Sequence, residues 1–125
     1  MTISAVFLLG AGMACTFLPD ALPDYMGLEN AAPAPWIIQV IGGLYFGFGM
    51  LNWMARSTRI GGIYNRPIAI ANFSHFFISG IALLKAFSRM EHLPIWLWGI
   101  AIFYVVFGLL FARILFSDPL KKITE

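Results

Sequence analysis

Three polar side chains recur along one face of an apolar stretch, and they are the strongest candidates for chemistry in this sequence. Asn72, His75 and Ser79 stand at positions i, i+3 and i+7, which a helix turning about 100° per residue brings onto one narrow face. On one interpretation His75 is the centre of a site, acting as a proton carrier, a ligand-binding imidazole or a catalytic base. On the other, the stripe forms hydrogen bonds between helices, each stabilising by about 0.6 kcal/mol.

A second polar position, Asn52, lies near the end of an earlier apolar stretch and shares a helix face with Tyr45. The connector between the two stretches is short, so they are expected to be antiparallel neighbours. This arrangement would bring Asn52 to about the depth of Asn72 and His75, and a shared pocket among these residues and Tyr45 is a hypothesis. The alternative is a hydrogen bond that closes the helical hairpin.

Several other kinds of chemistry have no support in the sequence. No Asp or Glu lies inside an apolar stretch, which argues against a proton relay or ion passage based on carboxylates. The single cysteine, Cys15, forms no internal disulfide and provides no Cys/His metal cluster, so neither a metal nor another cofactor is expected. No serine has the G-x-S-x-G context of a hydrolase nucleophile. No catalytic residue is therefore assigned, and an enzyme is not the favoured class.

The composition explains why the polar residues stand out. Hydrophobic residues make up 60% of the 125 residues and charged residues 11%, and the mean hydropathy is +0.82. Soluble domains are typically about 45–50% apolar and about 25% charged, so a soluble chain of this length could not bury so much apolar surface. The sequence therefore predicts a membrane protein with the lipid bilayer as its surroundings.

Four apolar segments account for most of the chain: about residues 3–18, 36–55, 68–87 and 95–116. Each approaches the length of about 17–25 residues that a helix needs to cross the hydrocarbon core of a bilayer. The predicted fold is all-α, an antiparallel four-helix transmembrane bundle that forms a single integral-membrane domain over residues 1–125. Residues 19–35 contain four prolines and are expected to form an outer loop or a short interfacial helix.

The first segment also has some features of a signal peptide, since Gly12-Met13-Ala14 offers a small-x-small cleavage pattern. Signal peptides begin with a basic region, however, and only Met1 and Thr2 precede this apolar run. A retained first helix is therefore predicted.

Basic residues are distributed unevenly between the two ends of the predicted bundle. With four crossings, one side of the membrane would hold six of them: Arg56, Arg59, Arg66, Arg113, Lys121 and Lys122. The other side would hold Lys85 and Arg89 together with the acidic first loop. Because basic residues in short loops stay in the cytoplasm, both termini are predicted to be cytoplasmic. So few charges, all close to the membrane, argue against binding of nucleic acid.

The second segment is rich in glycine, and four of its glycines are predicted to pack against a neighbouring helix: Gly42, Gly43, Gly47 and Gly49. Gly43 and Gly47 form a small-xxx-small pair, which lets a neighbouring backbone approach closely in lipid. The alternative is that glycine is simply common in membrane helices.

The stretch Gln39-Val40-Ile41-Gly42-Gly43-Leu44-Tyr45-Phe46-Gly47-Phe48-Gly49 resembles small bacterial four-helix membrane proteins of the DoxX-like kind. In these proteins a Gly-Gly pair opens a glycine-rich second helix after a variable loop, and the likeness in layout extends over roughly the whole chain. The resemblance implies a compact, multi-pass four-helix domain in a bacterial inner membrane. It implies no catalytic residues.

Two functions are compatible with these features. The first is a structural or interaction module, acting beside another membrane protein or as a homo-oligomer, because packing glycines are present and a convincing catalytic constellation is missing. The second is a binder or enzyme for a lipophilic small molecule such as a quinone, a sterol-like lipid or an isoprenoid. In that case His75 would bond the polar end of the ligand, Asn52 and Asn72 would orient it, and aromatic side chains would surround its body.

Overall fold

The computed structural model describes residues 1–26, 33–57, 65–90 and 94–116, and these residues are helical apart from short turns. Five α-helices are described: α1 (Thr2–Phe17), α2 (Ala21–Tyr25), α3 (Pro35–Met54), α4 (Arg66–Phe87) and α5 (Ile95–Phe116). A 3-10 turn, Ala55–Ser57, extends α3. No strand occurs in the described residues, so the all-α class is confirmed for them.

Proline marks the start of two of the long helices. Pro35 is the first residue of α3, and Pro67 is the second residue of α4. A proline in the first turn of a helix costs no hydrogen bond, because the amide group at that position has no partner inside the helix. The short helix α2 lies within residues 19–35, for which the sequence predicts an outer loop or a short interfacial helix.

The chain consists of two compact units: an N-terminal unit, Met1–Ser57, and a C-terminal unit, Thr58–Glu125. In the N-terminal unit α1 pairs with α3, and in the C-terminal unit α4 pairs with α5. Each unit is therefore built around its own pair of apolar helices.

Glycines bring the backbones of α1 and α3 into contact. A Cβ atom at Gly12 would lie 2.7 Å from the backbone nitrogen of Phe46 and 2.9 Å from the carbonyl oxygen of Gly42. A Cβ atom at Gly42 would in turn lie 2.9 Å from the Gly12 carbonyl oxygen, and Gly49 fits closely against Leu9. Because higher residue numbers on α1 face lower residue numbers on α3, the pair is antiparallel.

The other two glycines predicted to pack lie on a different face of α3. A Cβ atom at Gly43 or Gly47 would meet no atom of α1 within 4 Å. Gly42 and Gly49 differ by only about 20° around the helix axis, whereas Gly43 and Gly47 are centred roughly 130° away from them. Gly42 and Gly49 therefore make the contact within the pair, and close packing at Gly43 and Gly47 stays a prediction.

The C-terminal unit is also an antiparallel pair, and aromatic side chains fill much of its contact surface. Phe87 packs on Trp98 near one end of the pair, with ring centroids 5.6 Å apart. Phe73 packs on Phe116 near the other end, with ring centroids 6.2 Å apart. The residue order on α5 thus runs opposite to that on α4.

In the part of the chain that the structure describes, three helices are long and apolar enough to cross a membrane: α3 with its 3-10 turn (23 residues, mean hydropathy 1.3), α4 (22 residues, 1.6) and α5 (22 residues, 2.3). These spans support the prediction of a membrane protein with transmembrane helices. The helix α1 is apolar but shorter, with 16 residues, and a crossing by α1 stays a prediction.

The basic residues that predict the orientation are only partly described. Arg59, Lys121 and Lys122 lie outside the described residues. Arg56 and Arg113 are exposed near the ends of α3 and α5, as expected for charges that stay outside the hydrocarbon core. The orientation itself stays a prediction.

Candidate functional site

Asn72 lies in the second turn of α4 and is fully buried. Its side-chain nitrogen donates a hydrogen bond to the carbonyl oxygen of Ile68, one turn earlier on the same helix, at 2.9 Å. An amide that bonds to its own helix lowers the cost of holding polar atoms in hydrocarbon. This donor of Asn72 therefore serves the local structure of α4.

His75 lies about one turn further along α4 and faces Tyr104 of α5. The phenol oxygen of Tyr104 is 3.5 Å from Nε2 of His75, at the outer limit of a hydrogen bond. The two rings lie 5.6 Å apart with an angle of 52° between them. Tyr104 is buried and His75 is half-buried. The His75–Tyr104 pair thus joins the two helices through polar groups in the middle of their apolar lengths.

A cluster of phenylalanines adjoins the His75–Tyr104 pair. Phe76 is fully buried and packs on Tyr104 with ring centroids 5.2 Å apart. It also stacks on Phe111, with centroids 5.7 Å apart and an angle of 5° between the rings. Its further aromatic neighbours are His75, Phe103 and Phe107. Phe76 is therefore the centre of the contact between α4 and α5.

Sequence reasoning alone misses both Phe76 and Tyr104 as neighbours of His75. Tyr104 is the main polar side chain near the middle of the last apolar segment, and that signal could have paired it with His75. Phe76 has no comparable signal, because the chain contains 12 phenylalanines. Its central position depends on which face of α4 meets α5.

Ser79 is half-buried on α4, on the same side of the helix as His75. The buried residues Phe76 and Gly80 form the middle of the contact with α5. His75 and Ser79 are centred roughly 100° to one side of these two residues. Of the predicted polar stripe, His75 and Ser79 therefore follow the edge of the contact between the two helices, whereas Asn72 is fully buried.

Asn52 makes a hydrogen bond within the N-terminal unit. Its side-chain nitrogen donates to the hydroxyl oxygen of Ser4 at 3.3 Å, and the Ser4 hydroxyl donates to the carbonyl oxygen of Met1 at 2.8 Å. Both Asn52 and Ser4 are fully buried. These bonds tie the end of α3 to the start of α1. Asn52 therefore makes a hydrogen bond between helices, and in this bond its partner helix is α1.

Tyr45 is half-buried on α3, two turns from Asn52 and on the same face. Tyr45 and Asn52 belong to the N-terminal unit, whereas Asn72 and His75 belong to the C-terminal unit. A pocket shared by all four residues stays a prediction.

The polar side chains described above suit hydrogen bonds with neutral organic groups. Within residues 1–26, 33–57, 65–90 and 94–116, no group of three or more His, Cys, Asp or Glu side chains could hold a metal ion. Cys15 is a free, half-buried thiol, and it lies beside Gly42. The polar atoms described above are amides, hydroxyls and an imidazole, which form hydrogen bonds with neutral polar groups.

Comparison with known proteins found no matching protein-family model, no matching curated protein and no matching solved structure.

Proposed function

We propose that this chain is an integral membrane protein that acts as a structural or interaction module in a membrane assembly. The observation that carries this proposal is that α3 has two glycine faces. Gly42 and Gly49 contact α1, whereas Gly43 and Gly47 point elsewhere. A helix with a second face of small residues can receive another helix at close range in lipid.

Larger apolar side chains border the Gly43–Gly47 face. Val40 and Leu44 are 59% and 63% exposed. Apolar side chains that face lipid are normal in a membrane protein, so this exposure by itself identifies no interface. The glycines matter because they lower the helix surface between larger neighbours, which lets a second backbone come close and gain dispersion contacts.

A second copy of this chain is the partner that we propose for the Gly43–Gly47 face. The motif is self-complementary, because the glycines of each helix make room for the helix of the other copy. A two-fold interface would then use the same face on both copies. An accessory role beside a different membrane protein is the alternative.

Replacing both Gly43 and Gly47 by leucine is expected to convert the solubilised oligomer into a monomer. Neither new side chain would begin in contact with α1, so the melting temperature of the monomer should be retained. Light scattering in mild detergent measures the mass of the protein. Gly99→Leu on α5 is the matched control, because a Cβ atom at Gly99 meets no atom within 4 Å.

A wild-type protein that is strictly monomeric and co-purifies with no other membrane protein would contradict the proposal. Loss of a co-purifying membrane protein in the double variant would support an interaction module whose partner is a different chain.

The finer architecture is also part of this proposal. The two helix pairs would join as an antiparallel four-helix transmembrane bundle in a single domain, with both termini cytoplasmic. A crossing by α1 is supported by its course along α3, from the level of Asn52 to that of Gly42, and a bilayer can thin around a short helix. The four-helix layout and the glycine-rich α3 also support assignment to the DoxX-like kind, in a bacterial inner membrane.

A second candidate function is the binding or conversion of a lipophilic small molecule, such as a quinone, a sterol-like lipid or an isoprenoid. The His75–Tyr104 pair favours it, because an imidazole and a phenol lie together beside an aromatic cluster. Ligand sites are mostly apolar and contain a few polar groups that converge on the ligand.

His75→Gln and His75→Leu are both expected to abolish ligand retention, with the protein still folded, if this pair binds a ligand. If the pair only joins α4 to α5, His75→Leu should lower the free energy of unfolding by about 1 kcal/mol or less, and His75→Gln by less still. Mass spectrometry for a retained lipid or quinone, together with thermal unfolding, distinguishes these cases. Unchanged lipid content in both variants would rule out the ligand site.

A further inference from the structure

The N-terminal unit carries an apolar groove of about 490 Å³. Its lining residues come from α1 and α3: Val6, Leu9, Gly10, Met13, Met50 and Trp53. A Cβ atom at Gly10 would meet no atom within 4 Å, so the missing side chain of Gly10 helps to keep the groove open. The groove is open along its length, since Val6, Met13 and Met50 are exposed.

Arg56 lies beside this groove because it is held on Trp53, one of the lining residues. The guanidinium carbon is 4.0 Å from the centre of the Trp53 ring, and Nη1 donates a hydrogen bond to the Trp53 carbonyl oxygen at 2.7 Å. The guanidinium carries five N–H donors that point outward in its plane, and one on Nη1 is used on the Trp53 carbonyl oxygen. A phosphate group that approaches in this plane can accept two hydrogen bonds at once.

Charge in the N-terminal unit is separated along the helix pair. Arg56 is the one Lys or Arg among residues 1–57, whereas Asp20 and Asp24 follow α1, at the opposite end of the pair. The helix α3 alone is about 30 Å long, so these carboxylates are several screening lengths away from Arg56. The Arg56 end of the helix pair is therefore the basic end of the N-terminal unit.

We propose that the groove binds an acyl chain of an anionic phospholipid and that Arg56 binds the phosphate group of the same lipid. The apolar lining matches a hydrocarbon chain, and Trp53 with Arg56 has the composition of a membrane interface, where a lipid chain meets its headgroup. A guanidinium held beside the groove can bind the phosphate group of a lipid. An apolar helix in the groove would offer Arg56 no group of opposite charge. The groove borders the Gly43–Gly47 face, since Met50 lies seven residues after Gly43, but the lipid proposal does not depend on the packing of a second copy there.

The test uses the purified full chain in mixed micelles of equimolar phosphatidylglycerol and phosphatidylcholine, followed by native mass spectrometry. Both lipids carry a phosphate group, but phosphatidylcholine also carries a choline cation that offsets the attraction to Arg56. Wild-type protein is therefore expected to retain phosphatidylglycerol about fivefold over phosphatidylcholine, the preference that one arginine near a lipid of net negative charge provides. Arg56→Gln is expected to bring this ratio close to one while the total amount of retained lipid stays similar.

Gly10→Leu is expected to remove most of the retained lipid of both kinds, because leucine fills the groove without meeting a neighbouring atom at its Cβ. Val6→Phe fills the groove from another position on α1 and gives an independent variant if Gly10→Leu lowers the melting temperature. Gly99→Leu, which lies outside the groove, is the control and should retain lipid as the wild type does.

Equal retention of the two lipids by wild type, or a preference unchanged in Arg56→Gln, would overturn the proposal. So would a lipid-free dimer that Gly10→Leu converts to a monomer, because a second copy would then occupy the groove. The Gly43 and Gly47 variants report on oligomeric state and the Arg56 variant reports on lipid preference, so the failure of one proposal is distinguishable from that of the other.

Discussion

Gly12→Ala is expected to lower the free energy of unfolding by about 2 kcal/mol. The added Cβ atom would lie 2.7 Å from the backbone nitrogen of Phe46 and 2.9 Å from the carbonyl oxygen of Gly42. Both neighbours are backbone atoms, so no side chain can rotate away and α1 must move off α3. Overpacking of this kind costs about 1–3 kcal/mol. Thermal unfolding in mild detergent measures the change.

Gly10→Ala is the matched control. Gly10 lies on the same helix as Gly12 but points away from the contact with α3. A Cβ atom at Gly10 meets no atom within 4 Å, and alanine is about 1 kcal/mol more favourable than glycine inside a helix. This variant is therefore expected to be as stable as the wild type or more stable. Equal stability of the Gly12 and Gly10 variants would show that backbone contact at Gly12 does not hold the helix pair together.

Phe76→Ala is expected to lower the free energy of unfolding by about 2 kcal/mol. The Phe76 ring is fully buried, and alanine would remove its contacts with the aromatic rings of α5 and leave a cavity. The same change costs about 3–5 kcal/mol in the core of a soluble protein. The expected loss is smaller here because lipid is as apolar as the protein interior, so that only packing is lost.

Ile78→Ala tests whether that loss is specific to the contact between α4 and α5. Ile78 lies on the same helix as Phe76 but is 66% exposed, so its side chain has few packing contacts to lose. A change within about 0.5 kcal/mol is expected for this variant. Equally large losses for Phe76→Ala and Ile78→Ala, in the same detergent, would contradict the central position of Phe76.

The helices were predictable because a single strong signal specifies them. A long apolar segment in lipid can satisfy its backbone hydrogen bonds by itself only as a helix, and Pro35 and Pro67 mark two of the starts. For this reason the predicted segments 3–18, 36–55, 68–87 and 95–116 lie close to the bounds of α1, α3, α4 and α5. The proline-rich residues 19–35 have a weaker signal, and the short helix α2 within them was only one of two alternatives.

The glycines of α3 show where sequence reasoning reaches its limit. Their number indicated close packing, and two of them do contact α1, but the sequence did not show which two. Gly42 and Gly43 are adjacent in the chain and point about 100° apart around the helix. Only the position of α1 shows that Gly42 and Gly49 pack within the helix pair, and leaves Gly43 and Gly47 for the further partner that we propose.

Polar residues were found by type but not by partner. Asn52, Asn72 and His75 stand out in apolar segments, and each has a hydrogen bond or a close polar contact. Ser4 was not recognised as the partner of Asn52, because a serine near the start of a helix is common and costs little there. Tyr104 is polar, but nothing in the sequence places it opposite His75.

By itself, the sequence determined that this is a helical membrane protein, with helices of nearly the observed bounds and a few polar groups inside them. Only the tertiary structure decided that α1 lies on Gly42 and Gly49, that Asn52 binds Ser4, and that Phe76 is the centre of the second pair. Hydropathy is a property of each segment by itself, and an apolar segment forms a helix in lipid without help from its neighbours. A contact between helices depends on the rotation and depth of both, and these are set by many side chains packing at once.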